Sequence, residues 1–458
     1  MRITSWATLV LAFGLGARVL PGQTFARDLL RELVEIDSTS AFGSTAAAKA
    51  MAARFRSAGF PESDIILAGP TPDKQNLVVR LHGKGAARPI LLIAHLDVVD
   101  APREGWSPGL DPFRLTERDG FFYGRGVLDM KNGVAALVAT MIRFRAEGLV
   151  PSRDIIVALT ADQEGGNANG VYWLVANHRD WIDAAYCLNL DAGGGQTEKG
   201  RRLRMTVQTS EKTNVSFQAQ TKNQGGHSSL PVKENAIYQL AKGLARLSER
   251  DLPFRFNETT RLYFERMGAI ETGQVAADMK AVAKDPPDLE AAGRLAAASP
   301  YYNSILRTTC VATRIEGGHA NNALPQTASA VVNCRIFPGD TVEFVRDALT
   351  QILADPGIAV RTMAAGRPAP ASPLMPEVMG AVEKVTHAMW PGMPVFPVMD
   401  PWASDSISLR RADLAAFGVN GTFGELDLGN AHGANERIPV DAFYENVEFL
   451  YRLLKALT

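Results

Sequence analysis

Three apolar runs constrain the fold of this chain more than any other feature. They are "PILLIAHLDVV" (89–99), "DIIVALTAD" (154–162) and "AAYCLNLD" (184–191), each short and bounded by polar or turn-forming residues. A strand that is apolar at successive positions, instead of at every second one, has both faces buried. Helices must then cover both sides of its sheet. "NGVAALVATMIRFRAEG" (132–148) supplies one between the first two runs and closes at Gly148. Upstream, "DLLRELVEI" and "TAAAKAMAARFRSAGF" have helical apolar spacing, the second stopped by Gly59, and "NLVVRLHG" reads as a further strand. Strands alternating with helices predict an α/β domain with a mostly parallel sheet.

The pattern changes near residue 209. "NVSFQAQTKN" and "TASAVVNCRIFP" alternate as half-buried strands, "NAIYQLAKGLARLSE" and "VEFVRDALTQILAD" are amphipathic helices, and "IAVRTM" is a short strand. Together they predict a smaller α+β, ferredoxin-like unit. A helical insert, "DMKAVAKDPPDLEAAGRLAAASP", interrupts it. From about 373 the α/β pattern resumes with "EVMGAVEKVTHAMW" and ends in "DAFYENVEFLYRLLKAL". The expected organisation is a leader over 1–23, a first α/β segment over 24–208, an inserted domain over 209–365, and a second α/β segment over 366–458.

A formal net charge of -1 gives no electrostatic case for nucleic acid or an anionic membrane. The short basic stretch "GRRLR" (200–204) reads as a solvated turn before a strand. "MRITSWATLVLAFGLGARVLPGQ" has a basic start, a short apolar run and small residues, the pattern of a signal peptide. It predicts a secreted or periplasmic protein with no stable membrane span after processing, an uncleaved anchor being the alternative. Cys187, Cys310 and Cys334 have no metal-binding spacing. Export would permit a Cys310–Cys334 disulfide, but all three are read as buried thiols.

Suggestive polar groups fall at or just after predicted strand ends, where open α/β sheets place ligands. "AHLDVVD" puts His95 and Asp97 two apart on one strand face. "YGRGVLDMKNG" puts Asp129 in a Gly-rich loop before a helix, "TADQEGG" adds Asp162 and Glu164, "LNLDAGGG" adds Asp191, and "NAHGANERIP" adds His432. Singly, each has a plain reading as a cap, turn or surface charge. As a set, two histidines and three carboxylates suit Zn²⁺, Co²⁺ or Mn²⁺, and two ions sharing one bridging carboxylate would use all five.

The order of these motifs, with "GGHSS" and "NALPQ…NCR" in the inserted domain, resembles the M20 family of co-catalytic zinc peptidases and amidohydrolases, from about residue 25 onward. The resemblance implies a di-zinc α/β domain interrupted by a smaller domain that mediates homodimerisation. It makes Asp129 the bridging ligand, Glu164 and His432 the remainder of one site, and His95 and Asp191 the remainder of the other. Asp191 is preferred to Asn189 as the only anionic group of its motif. Asp97 resembles the acid that orients His95, and His227 the inserted-domain histidine that steadies the oxyanion, often from the other subunit. Asn322 and Arg335 resemble the residues that bind a substrate carboxylate. The plain alternatives are a loop cap for His227 and a surface strand residue for Arg335.

Gln163 departs from the pattern. The family places a glutamate there, which takes a proton from the metal-bridging water. A neutral amide cannot do this. Three readings stay open: an introduced substitution that traps a bound substrate, a natural change in a weak or binding-only homologue, or transfer of the role to another acid such as Asp162. The expected activity is hydrolysis of an amide bond in a dipeptide or N-acyl amino acid with a free carboxylate. The rivals are a non-catalytic metal-containing binding protein and a di-zinc aminopeptidase. The loops "FGELDLGNAHG" and "VMDPWASDS" are expected to line the pocket, with Trp402 as a wall or a core residue.

Overall fold

The computed structural model describes residues 21–165, 167–363, 368–425 and 429–458. All but the last three residues of the expected leader lie outside them; residues 21–23 open the helix Pro21–Glu35.

The large sheet has ten strands. Its centre is parallel: Ile155–Thr160, Ile90–His95, Tyr186–Asn189 and Ala416–Gly418 lie side by side. Ile90–His95 and Ile155–Thr160 are buried at every position, as their unbroken apolar sequence requires. On one face lies the helix Lys131–Ala146, in contact with Pro21–Glu35 and the C-terminal helix Val440–Leu457. Leu92, Val134, Leu137, Val157 and Leu453 share this core. Truncating one such side chain to Ala costs about 2–5 kcal/mol. Outside the parallel centre, the hairpin Ile65–Thr71 and Lys74–Leu81 extends the sheet antiparallel.

On its other side, the strand Arg201–Glu211 pairs with Val395–Asp400 in parallel and with Gly194–Glu198 antiparallel. "GRRLR" is the turn at Gly200, with φ near +75°, and the start of that strand.

At Lys212 the chain leaves this sheet. Thr213–Lys222 belongs to a four-stranded antiparallel sheet with spatial order Thr309–Gly317, Thr327–Ile336, Thr213–Lys222, Ile358–Thr362. Helices Ala236–Glu249 and Val342–Leu353 pack on it through Leu240, Val345 and Leu349 against Phe217 and Val332. The β-α-β-β-α-β order is ferredoxin-like. Lys212 is fully buried at the crossing, and its Nζ donates to the carbonyls of Ser304 (2.8 Å) and Arg307 (2.9 Å) and to Thr309 Oγ1 (2.9 Å).

Two features differ from expectation. The helical insert contributes nothing to the small sheet's core. Its Met279 and Leu295, with Phe264 of the preceding helix Glu258–Ile270, cluster with Phe396, Val398 and Met399 of the large sheet and with Phe337. Cys310 and Cys334 are not buried thiols but a disulfide. They stand directly opposite in the antiparallel register, with Cα atoms 4.1 Å apart, which brings their Cβ atoms within bridging reach. Cys187 is free and buried.

Candidate metal centre

Four strand-end loops and one C-terminal loop converge on a cavity of about 480 Å3. At its floor stand two overlapping groups, His95–Asp129–Asp191 and Asp129–Glu164–His432, and within each the candidate ligand atoms lie within 4.8 Å of one another. Asp129 belongs to both. Its Oδ1 lies 3.1 Å from His95 Nε2 and its Oδ2 lies 3.0 Å from His432 Nε2. Asp191 Oδ1 is 3.6 Å from His95 Nε2, and Glu164 Oε1 is 2.8 Å from His432 Nε2.

The imidazole of His95 donates through Nδ1 to the Asp97 carbonyl at 3.0 Å, which leaves Nε2 as the ligand atom. The Asp97 carboxylate does something else. It accepts from the backbone N–H of Gln163 (3.0 Å) and of Glu164 (2.9 Å), while Oδ1 stays 3.7 Å from His95 Nδ1. Asp97 therefore fixes the loop that carries Glu164, and its main chain orients His95. Asn189 has a similar part: its Oδ1 accepts from Asp191 N at 3.0 Å.

The charges fit cations. Burial pulls the His95 imidazole down, but Asp129 and Asp191 outweigh it and hold it well above the ordinary histidine value. A hydrogen bond to Asp129 lifts His432 to about 9. Burial and the charge of Asp129 push Glu164 up to about 7, and burial raises Asp191. Asp129 runs the other way: burial raises it, but His432 and His95 bring it below the usual carboxylate range. Three crowded carboxylates thus draw protons onto the imidazoles. Divalent cations bound by the same nitrogen and oxygen donors would supply that positive charge instead.

Sequence reasoning missed what holds these ligands. Glu436 is fully buried. Its carboxylate accepts from the backbone N–H of Gly126 (3.0 Å), Leu128 (2.8 Å) and Asp129 (3.0 Å), and from Arg125 Nη1 (2.6 Å). Arg125 also donates to the Gly433 carbonyl at 3.0 Å. One buried ion pair thus ties the Asp129 loop to the His432 loop. The only sequence signal was two charged residues, Arg125 and Glu436, inside motifs already singled out.

Asp162 is 2 % exposed, accepts from Lys74 Nζ and Ala168 N, both at 2.6 Å, and does not line the cavity. It is not placed to replace a base at Gln163, which does line the cavity. Trp402 is 45 % exposed on the cavity wall, so it is no core residue. Asp400, Ala403, Gly424 and Glu425 of the two expected loops line the cavity too; residues 426–428 lie outside the described residues.

His227, Asn322 and Arg335 are elsewhere. His227 and Asn322 are exposed neighbours: Ser228 N donates to the Asn322 carbonyl at 3.1 Å, and Ser229 N donates to His227 Nδ1 at 3.2 Å. Arg335 is half-buried between Asn214 and Thr309, and burial lowers its pKa. No ion pair to it is found among the described residues.

An α/β sheet with acid–histidine groups at its strand ends, two of them sharing one carboxylate, defines a hydrolase built to hold metal ions. Residues 91–456 match the profile of Peptidase family M20/M25/M40, and the chain belongs to that family. It is 29% identical over 377 residues to the human N-fatty-acyl-amino acid synthase/hydrolase PM20D1, covering 80% of this chain and 74% of that one. Among solved structures, the M20 family metallo-carboxypeptidase Sso-CP2 from Sulfolobus solfataricus superposes with TM-score 0.71 at 18% identity, covering 94% of this chain and 99% of that one. Human carnosine dipeptidase 1 gives TM-score 0.65 at 17% identity, covering 95% and 96%. Among the described residues no helix is long and apolar enough to cross a membrane.

Proposed function

We propose that this chain binds two divalent cations, zinc in the first instance with cobalt or manganese as substitutes, and hydrolyses the amide bond of a small substrate with a free carboxylate. The observation that carries the reading is the sharing of Asp129 between two ligand groups. His95, Asp129 and Asp191 hold one ion; Asp129, Glu164 and His432 hold the other. Bound metal lowers the pKa of water and polarises the scissile carbonyl. His227 would donate a hydrogen bond to the oxyanion, and Asn322 and Arg335 would take the substrate carboxylate, Arg335 in a bidentate manner.

None of the same three residues lines the cavity, so they would serve a site by domain movement or from a second copy. The second copy is favoured by exposed apolar residues on one side of the small domain: Val311 and Ile315 on the edge strand Thr309–Gly317, and Ile237 and Tyr238 on the helix beside it. A two-fold homodimer would cover them. Export, directed by the leader, fits the Cys310–Cys334 bridge.

Gln163 lines the cavity and cannot accept a proton, so the chain as it stands turns over slowly. This same residue favours a second reading, a metal-holding binding protein without turnover. Metal analysis and hydrolysis of a panel of dipeptides and N-acyl amino acids test the first reading. Two ions per chain with cleavage by the Gln163→Glu variant support it; a protein that takes up no metal ends it. Fast turnover by the unaltered chain would eliminate the binding-only reading. Retention of substrate binding in Arg335→Ala would favour an aminopeptidase over a carboxylate-recognising enzyme.

A further inference from the structure

The cavity holds two carboxylates that the metal centre does not use. Asp400 ends the strand Val395–Asp400 and Glu425 follows Phe423–Gly424; both line the cavity that contains Asp129, Glu164 and Asp191. Among the described lining residues there is no Lys or Arg, and His432 is the single basic side chain. Two divalent ions would carry about +4 against the −3 of Asp129, Asp191 and Glu164, and Asp400 with Glu425 bring the lining to an excess of negative charge.

Asp400 is the more constrained of the two. It is 6 % exposed. Its Oδ2 accepts from Gln208 Nε2 at 2.9 Å, and Gln208 is held in turn by Arg410 Nη2 at 3.1 Å. The Arg410 guanidinium is spent on Glu211, at 2.9 Å. Asp400 thus faces the cavity on a rigid backing, bonded to a neutral amide and in no ion pair among the described residues. Burial pushes its pKa up to about 6, which leaves it largely ionised at neutral pH. A buried carboxylate with a neutral amide as its partner is held at a cost in desolvation, so a ligand that brings the opposite charge is favoured there.

We infer that Asp400 selects substrates whose acyl residue carries an ammonium group, so that the substrate is a dipeptide with a free amino end and not an N-acyl amino acid. The assignment rests on the proposed amide-hydrolase reading and narrows it. A dipeptide carries a carboxylate on the leaving residue, the end given to Arg335, and an ammonium on the acyl residue, the end left to the cavity. A fatty-acyl chain offers nothing to Asp400 and would seal its charge away from water. Trp402 and Leu190, on the same wall, leave apolar surface for a small side chain.

A matched pair tests this. Alanyl-leucine and N-propionyl-leucine differ only in the amino group, and N-dodecanoyl-leucine adds the fatty chain. Calorimetric binding to the zinc-loaded chain as it stands should favour alanyl-leucine by about 10- to 100-fold, the range for a charge-assisted hydrogen bond. Asp400→Asn keeps the side chain's shape and an oxygen for Gln208. It should erase that preference while binding N-propionyl-leucine as before and keeping two zinc ions. Asp400→Ser serves if the Asn variant folds poorly. Equal or tighter binding of either N-acyl compound, equal weakening of all three by the Asp400 variants, or no binding of any of them overturns the assignment. If the amine preference holds but Gln163→Glu cleaves nothing, the hydrolase reading falls and the recognition of an ammonium group stands.

Discussion

The floor of the cavity and the tip of the small domain hold groups given to one reaction, yet they are built in opposite ways. At the floor, four of the five candidate ligands are fastened by something else: His95 by the Asp97 carbonyl, Glu164 by the Asp97 carboxylate, Asp191 by Asn189, Asp129 by Glu436. At the tip, His227 sits exposed on a two-residue ribbon, Gly226–His227 paired with Ala323–Leu324, and exposed Asn322 directly precedes Ala323. Preorganisation belongs where ion geometry must be held to fractions of an ångström. Exposure belongs where a group must meet something that arrives, either a substrate or a second copy of the chain. On the proposed reading, the groups that would hold metal are gathered within one chain, while the groups at the tip need a domain movement or a second copy to reach them.

Gln163→Glu probes the floor most strongly. If only the base is missing from a preformed centre, turnover rises by about 10²–10⁴-fold, read as kcat on a dipeptide panel; an unchanged rate would mean the floor lacks more than a base. Asp129→Ala should bring zinc content from two ions per chain to nearly none, while His432→Ala should leave close to one. Full occupancy in the Asp129 variant, measured by atomic emission, would remove the bridging assignment. His227→Ala, in the Gln163→Glu background, should keep both ions and lose about 10²–10³-fold in kcat. Mixed with His432→Ala, it should recover up to about a quarter of the active sites by subunit exchange. A monomer without recovery would make the tip act within its own chain. The smallest effect should come from Cys310→Ser. Opening a bridge of sequence separation 24 should destabilise the small domain by about 3 kcal/mol, seen in thermal unfolding, without altering zinc content.

The floor was legible because His95, Glu164 and Asp191 each follow an apolar run, and a run buried on both faces can only be a central strand. The fastenings were not. Glu436 sits in "NERIP", which reads as a surface turn, and its partner Asp129 lies 307 positions earlier. "IILAGPT" carries Gly69 and Pro70, which hide the edge strand Ile65–Thr71. The disulfide needed a register, Cys310 opposite Cys334, that alternation alone does not specify. Asp162 and Glu164 differ by two positions, yet one meets Lys74 and the other His432, since φ near +55° at Asp162 turns the chain between them. The helical insert was visible as helix, but its attachment to Phe396 and Met399 depended on contacts more than about a hundred residues away in sequence.

The Glu436 pin also sets when this protein can first assemble both candidate metal-binding groups. His432 meets Asp129 at a sequence separation of 303, and the carboxylate that shapes the Asp129 loop comes four residues after His432. A growing chain that has not yet delivered residues 429–439 has His95, Glu164 and Asp191 in place but neither the second histidine nor the clamp on the shared acid. Its sheet can form while its two-ion centre cannot. Synthesis of the C-terminal loop therefore has to precede the closing of the Asp129–Glu164–His432 group.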